Sequence, residues 1–149
     1  MEDIPAISLK SVCAGILLGQ SAAAKDRILD RHLMPLGITA AQFKVLRIIA
    51  GGDRTAAQVC RFLFIQSGAM SRMLDRLERK ELIVRIRQDH DQRQARLALT
   101  EKGRAVSERL PVLVSAAMNE FAAMLSETEL VELEFILKKM LSQHMREVV

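Results

Sequence analysis

Arginine recurs between Ser71 and Thr100 at two different spacings. In "SRMLDRLERK", turned at about 100° per residue, Arg72, Arg76 and Arg79 gather on one side, opposite Met70, Met73, Leu74 and Leu77. In "ELIVRIRQDHDQRQARLALT" the period falls to two, and Arg85, Arg87, Arg93 and Arg96 follow. Guanidinium groups bind phosphate oxygens and the O6/N7 edge of guanine. Between Arg61 and Arg96 stand nine Lys/Arg against five Asp/Glu, an excess equal to the +4 of the whole chain. The positive field therefore sits on this segment, and a polyanion is the expected partner. A solvated charged face would account for the charge alone. It would not account for a basic helix face and a basic alternating segment being adjacent.

Other chemistry finds no support. Cys13 and Cys60 form no CxxC, and His32, His90 and His144 have no ligand spacing. No phosphate-cradling glycine loop and no GxSxG elbow is present. No enzyme, metal site or cofactor is expected. The aromatics are five phenylalanines (Phe43, Phe62, Phe64, Phe121, Phe135), with no Trp or Tyr. That argues against base stacking on aromatic platforms, and so against a single-strand or RNA binder.

The elements that must position the arginines follow from pattern and punctuation. A first helix is predicted over Ser8–His32, ending before Pro35 and Gly37. Its start, "VCAGILLGQSAAAK", has a look of a signal peptide. But Glu2 and Asp3 precede it, and the apolar run is far short of the roughly 20 residues of a membrane span. A cytoplasmic location and no membrane partner are expected. Ser11, Gly15, Gly19 and Ala23 form a small-residue row suited to a close helix crossing. "TAAQ" occurs at Thr39–Gln42 and Thr55–Gln58, and each fits a capping box that opens a helix. The first of these helices sends Phe43, Leu46 and Ile49 inward and ends at Gly51-Gly52; the second sends Val59 and Leu63 inward. The basic helix follows Gln66-Ser67.

From Leu82 the alternation predicts a two-stranded hairpin with a seven-residue tip, Gln88 to Gln94. Leu82, Val84 and Ile86 share one face. Two long helices close the chain. One runs from about Glu101 to Leu125, bent at Pro111, with Val106, Leu110, Leu113, Ala117, Phe121 and Met124 in a stripe. The other opens on the capping box "SETE" at Ser126 and carries Leu130, Leu133, Leu137, Met140 and Leu141. One short domain cannot cover all these stripes, so a second copy of the chain is expected against the first and last helices.

The expected fold is mainly α with a small β-hairpin. It is a winged helix-turn-helix over 39–99, flanked by dimerisation helices at 8–32 and 101–147 in a single domain of 1–149. The period changes because two devices are needed. A helix with a small, polar start (Gln66, Ser67, Gly68, Ala69, Ser71) and outward arginines (Arg72, Arg76) suits a major groove. A hairpin tip bearing Arg93, with Arg87, His90 and Gln92 nearby, suits a minor groove. Asp75, Asp89 and Asp91 are expected to orient arginines of the wing by pairing.

"KDRILDRHLMPLGITAAQFKVL", "SRMLDRLERKELIVR" and "DQRQARLALTEKG" resemble the MarR family of bacterial transcriptional regulators, and the resemblance covers nearly the whole chain. It implies a homodimer that binds palindromic duplex DNA, typically represses, and lets go when a small aromatic or phenolic molecule binds. It places recognition-helix contacts on Gln66, Ser67, Gly68, Ala69, Ser71 and Arg72. The wing motif falls on Asp91-Gln92-Arg93, followed by Gln94 where the family has Gly or Ala. Glu81 stands where the family prefers Gly, at a cost of about 1 kcal/mol if its φ is positive.

The resemblance puts effectors beside the recognition helix, where Ser71, Arg76 and Arg85 match, or in the cleft between the DNA lobe and the dimer helices. These arginines would equally serve by binding phosphate or pairing with Asp75. A redox-responsive regulator using Cys13 or Cys60 is an alternative. The family's peroxide sensors support their cysteine with tyrosines, which are absent here, so both thiols are expected to be buried and structural. An architectural DNA binder without effector and a protein-interaction module are the remaining alternatives.

Overall fold

The structure, a computed structural model, describes residues 9–88 and 91–145. The chain runs α1 (Leu9–Leu33), a 3-10 turn (Met34–Leu36), α2 (Ala40–Ala50), β1 (Arg54–Thr55), α3 (Ala56–Leu63), α4 (Ser67–Arg79), β2 (Ile83–Gln88), β3 (Asp91–Leu99), α5 (Glu101–Phe121) and α6 (Glu127–Met145). The mainly α expectation holds. The hairpin expectation needs two corrections. The sheet has three antiparallel strands in the order β1-β3-β2, because Arg54 and Thr55 pair with Leu97 and Arg96. The pairing also reaches Gln88↔Asp91, with an irregularity after Ile86, so the strands absorb most of the expected seven-residue tip.

Caps set the helix starts. Thr39 accepts from the Gln42 N–H while Gln42 accepts from the Thr39 N–H, and Thr55 and Gln58 do the same. Ser126 and Glu129 form the reciprocal pair that opens α6. Such caps contribute about 1 kcal/mol each. α5 runs unbroken through Pro111 and stops at Phe121, short of the expected Leu125.

One core joins these elements. Leu29 and Leu33 of α1, Val45, Leu46 and Ile49 of α2, Val59 of α3, Leu74 and Leu77 of α4, and Leu110 and Ala117 of α5 are all buried in it. Truncating such a leucine to alanine costs about 2–5 kcal/mol. Polar ties fix the angles. The Ala40 N–H donates to Asp30 at 2.7 Å, and the Lys44 ammonium reaches Asp26 at 2.7 Å. Burial tends to raise the Asp26 carboxyl, but Lys25 and Lys44 outweigh it and hold it below its usual value. Lys80, just past α4, donates to the Gly37 carbonyl at 2.6 Å and to Gln42, the buried polar residue of α2, at 2.8 Å. The end of α4 is thereby tied to the turn before α2.

Glu81 has φ +60°, the left-handed conformation for which the sequence made glycine the expected residue. Its carbonyl accepts from the Thr100 hydroxyl. Glu81→Gly keeps that backbone bond and removes the Cβ penalty, so thermal melting should show a gain of up to about 1 kcal/mol.

Candidate nucleic-acid interface

α4 buries Met70, Leu74 and Leu77, each at 1% exposure or less, and half-buries Met73. That anchors one side of the helix in the core. The opposite side and the N-terminal turn are open: Gln66, Ser67, Gly68, Ala69, Ser71, Arg72, Arg76 and Arg79 are all exposed. Gln66 is the N-cap residue but spends no side-chain hydrogen bond on the helix, leaving its amide available. Among the described residues, Arg72, Arg76 and Arg79 make no ion pair. Free guanidinium groups on a rigid, core-anchored helix are suited to an external polyanion.

The sheet presents the second device. Ile83 and Leu97 go into the core, so Val84 and Ile86 face outward and do not share a face with the buried Leu82 as expected. Leu82, also buried, precedes the strand and lies outside its alternation. Arg85 shares the inward side with Ile83 but stops at the rim. Its guanidinium forks between Asp75 (2.9 Å) and Glu78 (3.1 Å), both on α4. Asp75 thus pairs with an arginine of the wing, and Arg85 is engaged within the protein, an effector role being the less natural use of it. The fork links the strand directly to the helix. Half-exposed ion pairs add less than about 1 kcal/mol to stability. Arg85→Met should therefore shift Tm little while weakening duplex binding measurably, because it loosens the angle between helix and wing.

Arg87 is exposed on β2. Asp89 and His90 lie outside the described residues, as do the side chains of Asp91, Gln92 and Arg93. The sequence reading missed the support on the other edge of the sheet. Asp53 holds Arg96 at 2.7 Å, next to the two-residue β1. Two residues are too few to show an alternation, so no pattern signalled that strand.

The thiols differ from expectation. Cys13 is exposed on α1, and Cys60 is half-buried on α3. Burial pushes the Cys60 thiol up, away from reactive thiolate. No group of three or more His, Cys, Asp or Glu among the described residues could hold a metal ion. No single described helix is long and apolar enough to cross a membrane.

A MarR family model matches residues 36–94, spanning α2 to the wing. The multiple antibiotic resistance protein MarR of Escherichia coli is 38% identical over 129 residues, covering 85% of this chain and 90% of the relative. The chain belongs to the MarR family. It is a transcriptional regulator, as are its MarR-family relatives, and not an enzyme. A crystal structure of a cysteine-to-serine mutant of Escherichia coli MarR complexed with operator DNA matches with TM-score 0.80 at 36% identity, covering 89% of this chain and 96% of that one. A Mycobacterium tuberculosis MarR family protein in complex with salicylic acid matches with TM-score 0.69 at 28% identity, covering 85% and 94%. The winged-helix architecture of the MarR fold accounts for the order of α2, α3, α4 and the hairpin.

Proposed function

We propose that this MarR-family chain works as a cytoplasmic homodimer that represses transcription. It would bind a palindromic operator in duplex DNA and release it when a small aromatic or phenolic effector binds. The observation that carries the reading is α4, apolar inward and with outward arginines that make no ion pair among the described residues, tied through Arg85 to the wing. In the operator complex of the Escherichia coli relative the same fold is bound to DNA.

Dimerisation is supported by the helices outside the winged lobe. Val12, Ile16, Leu17 and Leu18 of α1 are exposed, and Leu137 apart, so is every residue from Glu127 to His144 of α6, including Val131, Phe135 and Ile136. So large an apolar surface on a chain of this size calls for a partner, and closed twofold pairing is the usual solution. It would also cover Cys13.

For the effector, two places have the right chemistry. One is the α4 surface at Ser71 and Arg76. The other is a cavity of about 500 Å3 between α2 and α5, with Phe43, Arg47, Leu110, Pro111 and Val114 in its wall. Ser107 is also in that wall, and its hydroxyl is buried without a hydrogen-bond partner among the described residues.

Gel shift on the DNA upstream of the protein's own gene tests the reading. A sequence-selective complex that dissolves as salt rises supports it. Equal binding to random duplex would instead favour an architectural protein, and no binding a protein-interaction role.

A further inference from the structure

Two described residues other than glycine take a positive φ, Glu81 and Phe64. Glu81 is held by the Thr100 hydroxyl on its carbonyl. Phe64 is a different case. It ends α3 in the left-handed conformation, with φ +53° and ψ +39°. Its N–H donates to the Arg61 carbonyl at 3.4 Å, and the next N–H, of Ile65, donates to the Cys60 carbonyl at 3.1 Å. This is a way of closing a helix that glycine most often supplies. An aromatic residue there strains the backbone, because its Cβ crowds the carbonyl oxygen that follows.

The ring gains little within the protein. Leu63 and Ile65, on either side, are half-buried against the core. Phe64 between them is 62% exposed and takes no part in that packing. A strained backbone that displays a wet aromatic ring is doubly unfavourable in the free chain. Such a residue fits a contact made outside the chain.

Its place narrows what that contact is. Phe64 stands two residues before Gln66, the N-cap of α4, so their Cα atoms are at most about 7 Å apart. Gln66, Ser67, Gly68 and Ala69 are exposed as well. The ring therefore borders the surface described above as the major-groove face. A duplex keeps its base faces stacked on one another and carries its charge on the phosphates. Apart from the base edges, the apolar surface it offers along a strand is deoxyribose. Arginines meet phosphate, and an uncharged ring fits sugar.

We propose that Phe64 is a duplex-contacting residue, its ring packed on deoxyribose of the strand that borders the groove entered by α4. It adds affinity without reading sequence. The proposal rests on the duplex-binding reading and deepens it, since it makes part of the grip apolar and independent of salt.

Anisotropy titrations of the full chain test it, on the duplex upstream of its own gene and on a random duplex, at several salt concentrations. Phe64→Gly should weaken binding to both by roughly five- to tenfold, the worth of one covered apolar side chain. The slope of log affinity against log salt should stay as in wild type, because no charge is lost. The same variant should melt no lower than wild type, because glycine relieves the left-handed turn. Phe64→Ala keeps the strain and lacks the ring. It should melt below Phe64→Gly and bind as weakly, which separates loss of the ring from loosening of the turn. Phe64→Tyr keeps the ring and should bind close to wild type. Affinity then follows the ring, and stability follows the backbone. The proposal is overturned if Phe64→Gly binds both duplexes as wild type does, if its loss is confined to the upstream duplex, or if its salt slope changes. Binding restored in Phe64→Ala would also overturn it, as would a Phe64→Gly chain that melts well below wild type, which would make the ring a packing residue. A wild-type chain that binds no duplex defeats this proposal together with the duplex-binding reading. Wild-type binding that ignores Phe64 defeats this proposal alone.

Discussion

Replacing Arg72 with alanine should weaken binding to the cognate duplex by roughly five- to a hundredfold, the worth of one lost arginine contact of about 1–3 kcal/mol. Arg72 is exposed on the open face of α4, one turn from its N-terminus, flanked by Gly68 and Ser71. Nothing bulky stands between it and an approaching groove. Because its guanidinium makes no ion pair among the described residues, removing it should leave folding stability within about half a kcal/mol of wild type. The loss should also be selective. If Arg72 reads a guanine edge, affinity falls on the cognate site and much less on random duplex. If it holds a phosphate, both fall together and the slope of log affinity against log salt drops by about 0.9. Anisotropy titrations on both duplexes at several salt concentrations separate these outcomes. Unchanged affinity on both would remove α4 from the interface.

The largest effect on folding should come from Gly103→Ala. Gly103 is buried in the first turn of α5, and a Cβ there would overlap the carbonyl oxygen of Leu82 and stand 3.0 Å from its carbonyl carbon. Both belong to backbone that cannot yield. Leu82 is held by its own N–H to Leu77 and by its carbonyl, which accepts from Thr100. Thr100 in turn caps α5 through the Gly103 N–H at 2.9 Å. The methyl group would have to push α5 off the entry to β2, which unseats the cap and the core around Leu82. A cost of about 3 kcal/mol or more is expected, a large part of the 5–15 kcal/mol typical of a domain. Urea denaturation should show a much lower midpoint with an unchanged slope. Because the wing grows from this junction, duplex binding should weaken even where the variant remains folded.

The residues that announced themselves in sequence did so through periodicity and punctuation. The α4 wheel was legible because four apolar side chains and three arginines divide thirteen residues cleanly. The helix starts at Thr39, Thr55 and Ser126 were legible because a capping box needs only local chemistry. Glu81 was legible as a turn because the MarR pattern puts glycine there. What stayed hidden was set by distant contacts. Arg85 had several plausible uses until Asp75 and Glu78 were seen to bracket it. The two-residue β1 is defined only by its partners Leu97 and Arg96. The inward turn of Ile83 in place of Val84 depends on the position of α4 beneath the sheet. Gly103 carries no sequence signal, since its constraint is a carbonyl twenty-one residues earlier in the chain.

The central claim is that the open face of α4 enters a major groove and that a second copy of the chain does the same one turn away. Dimethyl sulfate interference on the cognate duplex tests it most directly, since methylation at guanine N7 blocks the major-groove edge. The account predicts two symmetric clusters of blocked guanines, their centres about ten base pairs apart or a multiple of that. Strong binding with no interference at any guanine N7, or a single unpaired cluster, would contradict it.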